Sequence, residues 1–375
     1  NIKKSLKDNE IAIEIINIPT NKAGKNDRDY FALLIKNNSV VPEVIQLFSE
    51  SELSNILNQK GDTKERINSI YLQNKEILSN LIWKNIENKT SPNDKIFLSV
   101  SGLLHTISFP ALLNEKKIDI TYLGSTKELI EIKKETYKNS NIALFGNINY
   151  GENKNIEKLN SQNRKGKNNP KYNLLPYSKN EVNGIKSIFE SVANEKVSVF
   201  TQNFASEENF RKLNGGKFDI IHIATHGFYH AFGDVLSESN NNENVLLKSG
   251  LVFSNANKNT TNSKNNGILN SFEISQMDLS NVDLIVLSAC ETGLGTIKGG
   301  EGVFGLQRAF KLAGVKSAIV SLWQVSDKPT SELMVCFYKF YLNGFSKKES
   351  LRKAQDEIKK KYKSPFYWAG FMLIE

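Results

Sequence analysis

Apolar positions in this chain fall into short unbroken runs separated by amphipathic stretches. That is the pattern of strands covered on both faces alternating with helices. The second half shows it most regularly, with strands predicted at VSVF (197–200), FDIIHIATH (218–226), GLVF (250–253), LIVL (284–287), SAIVSLW (317–323) and YWAGFMLI (367–374). Helices are predicted between them, over 178–189, 303–313 and 329–342, and after residue 346. Their ends carry local signals: capping boxes at Ser178 with Glu181 and at Ser346 with Glu349, an N-cap at Ser206, and Gly314 just past a helix end. In the first half, IAIEII (11–16), IFLSV (96–100) and IALFG (142–146) read as strands, and residues 30–47 as a hairpin turning at Asn37 and Asn38. A helical period runs from Ile67 to Trp83.

Two polar stretches interrupt this order. Residues 150–177 turn to Asn, Lys and Gly with few apolar anchors, a loop and the expected border between two parts of the chain. A second asparagine-rich region covers much of 237–266. The division is therefore 1–150, with the N-terminal strands and hairpin, and 151–375, where strand and helix alternate. Such alternation predicts an α/β fold with a mostly parallel sheet covered by helices.

Composition narrows the function. The chain has 375 residues, 39% hydrophobic and 24% charged, as in an ordinary globular protein. No apolar run approaches a membrane span and no secretory signal opens the chain, so a cytoplasmic location is expected. Because the first residue is Asn1, a segment upstream is expected to be missing. The formal charge of +9 comes almost wholly from lysine, without an aromatic-basic cluster, so direct nucleic-acid binding is not expected. Only two cysteines, Cys290 and Cys336, are present, and the four histidines are dispersed, which leaves no disulfide framework and no zinc-finger spacing. No metal or other cofactor is expected.

Candidate chemistry sits at two strand ends. FDIIHIATHG ends in His226 and Gly227, and DLIVLSACETGLG carries Cys290 past its apolar run. Open α/β sheets place their chemistry at the carboxyl ends of strands. A thiol at one tip and an imidazole at another make a candidate dyad: the thiolate attacks a carbonyl, and the imidazole protonates the leaving amine and then activates water. The backbone N–H groups of Gly227 and Cys290 are the expected oxyanion donors, since glycine has no Cβ to block approach. The plainer alternative for Cys290 is a small buried hydrophobe at a strand end. Cys336, among Met334, Val335 and Phe337, reads as a core thiol.

These stretches resemble a known family. HIATHG, LSACETGLG, GGEGVFGLQRAFKLAGVKSAIVSLWQVSD and FYWAGFMLI look like the CHAT domain of bacterial caspase-like proteins, relatives of caspases and separase usually found behind tetratricopeptide repeats. SGLLHTISFPALL and the hairpin near Tyr30 are similar to the amino-terminal half of such domains, so the resemblance runs from about Ile11 to the end. It implies a caspase-like three-layer sandwich with a degenerate caspase-like first half and an active second half. It also implies a cysteine endopeptidase cutting a specific protein target, gated by a partner protein or an upstream repeat module.

By the same resemblance, Ser288 lines the pocket for the substrate side chain before the cut, and Asp327 resembles the acidic pocket residue that separase-like enzymes direct at a basic side chain. An N-cap role before Pro329 is the other reading of Asp327. His105 resembles the position used in the degenerate half and is read as structural. Strand alternation sends His222 to the face of His226, either as a second catalytic imidazole or as a buried, hydrogen-bonded histidine. A catalytically silent scaffold is the alternative to the protease. A flavodoxin-like nucleotide binder is disfavoured, because neither GxGxxG after a strand nor a Walker loop occurs.

Overall fold

The computed structural model describes residues 1–22, 25–113, 118–130, 141–151, 172–192, 196–229, 245–247, 249–258, 265–288 and 301–375. Its first sheet has five strands: β1 (Glu10–Lys22), β2 (Lys25–Lys36), β3 (Glu43–Ser49), β4 (Lys95–Ser99) and β5 (Asp119–Tyr122), in the order β3-β2-β1-β4-β5. The hairpin read from the sequence is the antiparallel β2–β3 pair, and β4 lies parallel to both β1 and β5. The second sheet begins with β6 (Asn141–Ile148), β7 (Lys196–Gln202) and β8 (Ile220–Ile223). Strands β9 (Gly227–Tyr229), β10 (Ser249–Val252) and β11 (Ile268–Asn270) form a small antiparallel sheet of their own. β12 (Leu284–Leu287), β13 (Ser317–Ser321) and β14 (Phe371–Ile374) complete the second sheet, whose order is β14-β13-β12-β8-β6-β7.

All pairings in that six-stranded sheet are parallel except β13–β14. Every residue of β8 and of β12 is buried, and since successive residues point to opposite faces, both faces of the sheet are covered. The helices Pro176–Glu190, Asp327–Leu342 and Lys347–Lys361 pack side by side as one layer, while the helix Glu301–Leu312 packs against β13 and the helix Ser271–Ser275. The architecture is the helix-covered, mostly parallel α/β fold that the alternation predicts, and the three-layer sandwich that the family resemblance implies.

Sheet membership changes earlier than the composition does. A border at residue 150 leaves β6 in the first part, yet β6 pairs with β7 and β8 in the second sheet. The switch between sheets therefore falls between Tyr122 and Asn141. The two parts share one apolar core that runs from Ile11 to Ile374. Several polar links cross between them: Glu375 N–H donates to Tyr122 O at 2.9 Å, joining the edges of the two sheets, and Ser108 Oγ donates to Ala369 O at 2.7 Å.

Local signals were met unevenly. Ser346 and Glu349 form the expected capping box, and Ser206 accepts from Asn209 N–H. The helical period 67–83 is broken into Thr63–Asn68, a π-helical turn Ser69–Gln73 and Lys75–Glu87. The box expected at Ser178 and Glu181 does not form. That helix starts at Pro176, whose fixed φ and missing N–H suit the first turn, and Ser178 and Glu181 lie inside it. Ser178 Oγ instead donates to Leu175 O and accepts from Asn147 N–H, and Glu181 is turned into the core.

Candidate active site

β8 and β12 are adjacent and parallel, with Ile223 opposite Leu287. His226 follows the first of these residues at the same spacing at which Cys290 follows the second. Cys290 itself lies outside the described residues.

Beyond Ile223 the backbone leaves the large sheet and enters the small one. Val252 N–H donates to His226 O at 2.9 Å, and Gly227 lies opposite Leu251. In an antiparallel ladder the bonded pairs alternate, so a narrow pair at His226 and Val252 turns the N–H of Gly227 away from β10. β9 is an edge strand, so that N–H points to the open side of the small sheet. Thr225, between the two sheets, is fully buried; its hydroxyl donates to Val252 O and meets the Tyr150 hydroxyl at 3.0 Å.

The His226 ring is held on several sides. Its Nε2 lies 2.7 Å from Asn173 O. A carbonyl only accepts, so Nε2 carries the proton and Nδ1 of the neutral ring keeps its lone pair. The rings of Tyr150 and Tyr172 sit 5.1 and 5.6 Å from the imidazole, centroid to centroid. Asn257, buried in the turn after β10, accepts from Tyr172 N–H and donates to Gly151 O and Tyr172 O.

The two pocket residues read from the sequence lie close to these elements. Ser288 directly follows β12; it is buried, and its hydroxyl has no hydrogen-bond partner among the described residues. Asp327 opens the helix Asp327–Leu342, whose N-cap is Ser326, so the N-cap reading of Asp327 at its own helix does not hold. Its carboxylate accepts at 2.8 Å from Tyr177 N–H, in the first turn of the neighbouring helix Pro176–Glu190. Burial pushes the Asp327 carboxyl up, the Tyr177 N–H opposes that, and the charges of Glu181 and His226 raise and lower it respectively.

β8 ends at Ile223, so alternation does not carry through to His226. The fully buried His222 turns to Glu181 Oε1 at 2.8 Å and to the Tyr338 hydroxyl at 3.3 Å. It is the hydrogen-bonded core histidine of the plainer reading. His105 follows β4 in the first sheet, in a 3-10 turn Gly102–Thr106, where burial pushes its imidazole down to about 4. Cys336 is partly buried, and burial pushes its thiol up.

Tyr150, Tyr172, Asn173 and Asn257 were missed in the sequence. The signal was small: one tyrosine at each end of a polar tract, and an asparagine within an asparagine-rich stretch. Among the described residues no group of three His, Cys, Asp or Glu side chains is placed to hold a metal ion, and no helix is long and apolar enough to cross a membrane.

A chain of the Saccharomyces cerevisiae separase–securin complex aligns over 100% of this chain and 30% of its own, with a TM-score of 0.57 and 12% sequence identity. At that identity the likeness shows the fold, which is caspase-like. Tetratricopeptide repeat protein 28 of Mus musculus and its counterpart in Homo sapiens are each 35% identical over 95 residues, covering 25% of this chain and 4% of the relative. The chain thus spans a small fraction of the length of the curated relatives it matches. The CHAT domain model matches residues 72–375, starting later than the resemblance read from Ile11. By that match over most of its length, the chain belongs to the CHAT domain family, within the caspase-like peptidase fold.

Proposed function

We propose that this chain is a cysteine endopeptidase that uses His226 and Cys290 as a dyad. The observation that carries the proposal is the register of β8 and β12: Ile223 faces Leu287, and the two residues follow these partners at equal spacing on adjacent parallel strands. Neighbouring strands run about 4.8 Å apart, so Ile223 and Leu287 end β8 and β12 side by side at one edge of the sheet, and the segments carrying His226 and Cys290 both leave from that edge.

The Nε2–H bond to Asn173 O leaves Nδ1 as the basic atom. The Cys290 thiolate attacks the scissile carbonyl carbon, forming a C–S bond, and the carbonyl electron pair moves onto oxygen. As the C–N bond breaks, the imidazolium gives its proton to the leaving amine. The neutral ring then takes a proton from water, the hydroxide adds to the thioester, and as the C–S bond breaks the thiolate leaves, restoring the thiolate–imidazolium pair. Gly227 N–H, turned to the open edge of β9, and Cys290 N–H are the proposed oxyanion donors.

Ser288 and Asp327 are proposed to line the pocket for the residue before the cut. A small neutral side chain together with a half-buried carboxylate suits Arg or Lys. The first sheet would serve as the silent half and the second as the active half. A specific protein target, control by a partner or an upstream repeat module, and a cytoplasmic setting complete the proposal. The relatives' names support the partner element, one being part of a complex and another a tetratricopeptide repeat protein. Incubation of the chain with a diverse peptide library, followed by mass spectrometry of the products, tests it. Cleavage after Arg or Lys that vanishes in His226→Ala is the expected result; products unchanged in His226→Ala would overturn the assignment.

A further inference from the structure

We infer that Asn257 is a positioning residue for His226, setting which ring nitrogen carries the proton. The inference rests on the peptidase proposal for its consequence in catalysis, but its geometry stands apart from Cys290.

Asn257 uses every strong hydrogen-bonding group of its amide except one lone pair. Oδ1 accepts from Tyr172 N–H at 2.9 Å, and Nδ2 donates to Tyr172 O at 2.9 Å and to Gly151 O at 3.0 Å. Its own backbone N–H donates to Tyr150 O at 2.9 Å. Just before it, Asn255 takes a left-handed φ of +69° and donates its N–H to Asn149 O at 3.0 Å. One short turn therefore holds the backbone of residues 149–151 and the backbone on either side of the Tyr172 Cα.

Those two segments carry what surrounds the imidazole. Tyr150 and Tyr172 supply the flanking rings, and Asn173, the next residue after the clamped Tyr172, supplies the carbonyl that accepts from Nε2. Asn173 is itself exposed, and lies between the clamped Tyr172 and the helix that starts at Pro176. The acceptor for His226 is thus aimed by a side chain that does not touch His226.

Only an amide of this length meets the requirement. Aspartate keeps the acceptor for Tyr172 N–H but sets a carboxylate against two carbonyl oxygens; serine is too short, and glutamine adds a methylene in a buried site. Once the Asn173 carbonyl swings away, the proton is free to move to Nδ1, and the lone pair needed to activate the thiol and the water is lost.

The test compares the wild-type chain with Asn257→Asp, which keeps the volume and one of the bonds, and with Asn257→Ala. The first readout is 15N NMR of histidine-labelled protein, with His226 assigned by the His226→Gln spectrum. Wild type is expected to show neutral His226 as the Nε2–H tautomer, and both variants a mixture with the Nδ1–H form. The second readout is steady-state cleavage of an Arg-terminated fluorogenic peptide: kcat is expected to fall about 100-fold, the scale of a misplaced catalytic group, with KM changed less than threefold. A wild-type tautomer ratio in Asn257→Asp overturns the inference. If no peptide is cut by wild type while the tautomer still shifts, the peptidase proposal fails and the positioning role stands.

Discussion

Glu181 Oε1 and His222 Nε2 meet at 2.8 Å with both side chains all but excluded from solvent. The pair ties the helix Pro176–Glu190 to the central strand β8, and the Tyr338 hydroxyl adds the helix Asp327–Leu342 from the other ring nitrogen. Three of the elements that frame the candidate site are therefore locked beneath it by one polar cluster.

Removing one member of the cluster leaves the other buried without its partner, which costs far more than the pair gains. Glu181→Ala is expected to lose about 3–5 kcal/mol of stability in urea unfolding, and His222→Ala a similar amount. A double change to apolar residues of similar size, Glu181→Met with His222→Phe, is expected to lose less than the sum. Additive losses would show that the two side chains do not depend on each other.

His105 predicts a pH dependence with a definite sign. Its imidazole falls from an ordinary 6.5 to about 4 on folding, because burial disfavours the charged ring. The unfolded chain therefore binds more protons between those values, and stability rises with pH across that window. The contribution is fully present above pH 6.5 and lost as the pH falls toward 4. His105→Gln is expected to flatten the stability profile there while leaving the profile above pH 7 parallel to wild type. An unchanged slope between pH 4 and 6.5 in the variant would remove His105 as its source.

These two histidines show what was legible in the sequence. The strands near the site could be read because β12 is an unbroken apolar run and β8 is interrupted only by His222, and the cap at Ser346 could be read because its partner Glu349 is three residues away. Ser178 and Glu181 have the same spacing, yet Pro176 started the helix first and His222 drew Glu181 inward, a contact across 41 residues. Asn257 reaches 85 residues back to Tyr172 and sits in a stretch whose composition looks like solvated surface. Local chemistry was visible; side chains that act by reaching across the fold were not.

Asp327 offers a test of specificity. Its carboxylate is tied to Tyr177 N–H and is felt by His226, so it lies near the candidate site. Asp327→Asn keeps the hydrogen bond to Tyr177 N–H and removes the charge. It is expected to lower kcat/KM for Arg and Lys peptides by 10-fold or more, the scale of about 1.4 kcal/mol, while peptides with neutral residues before the cut lose little. Equal losses for all peptides would assign Asp327 to the helix end alone.

The most direct measurement of the dyad uses a peptidyl chloromethylketone ending in Arg, applied to the chain at pH 7 and followed by mass mapping of the adduct. The chain has only two thiols, and the Cys336 thiol is pushed up by burial, which disfavours its reactive thiolate at that pH. The account predicts one adduct, on Cys290, retained in Cys336→Ala and lost or greatly slowed in His226→Ala. Labelling of Cys336 alone, or labelling of Cys290 at the same rate with and without His226, would contradict it.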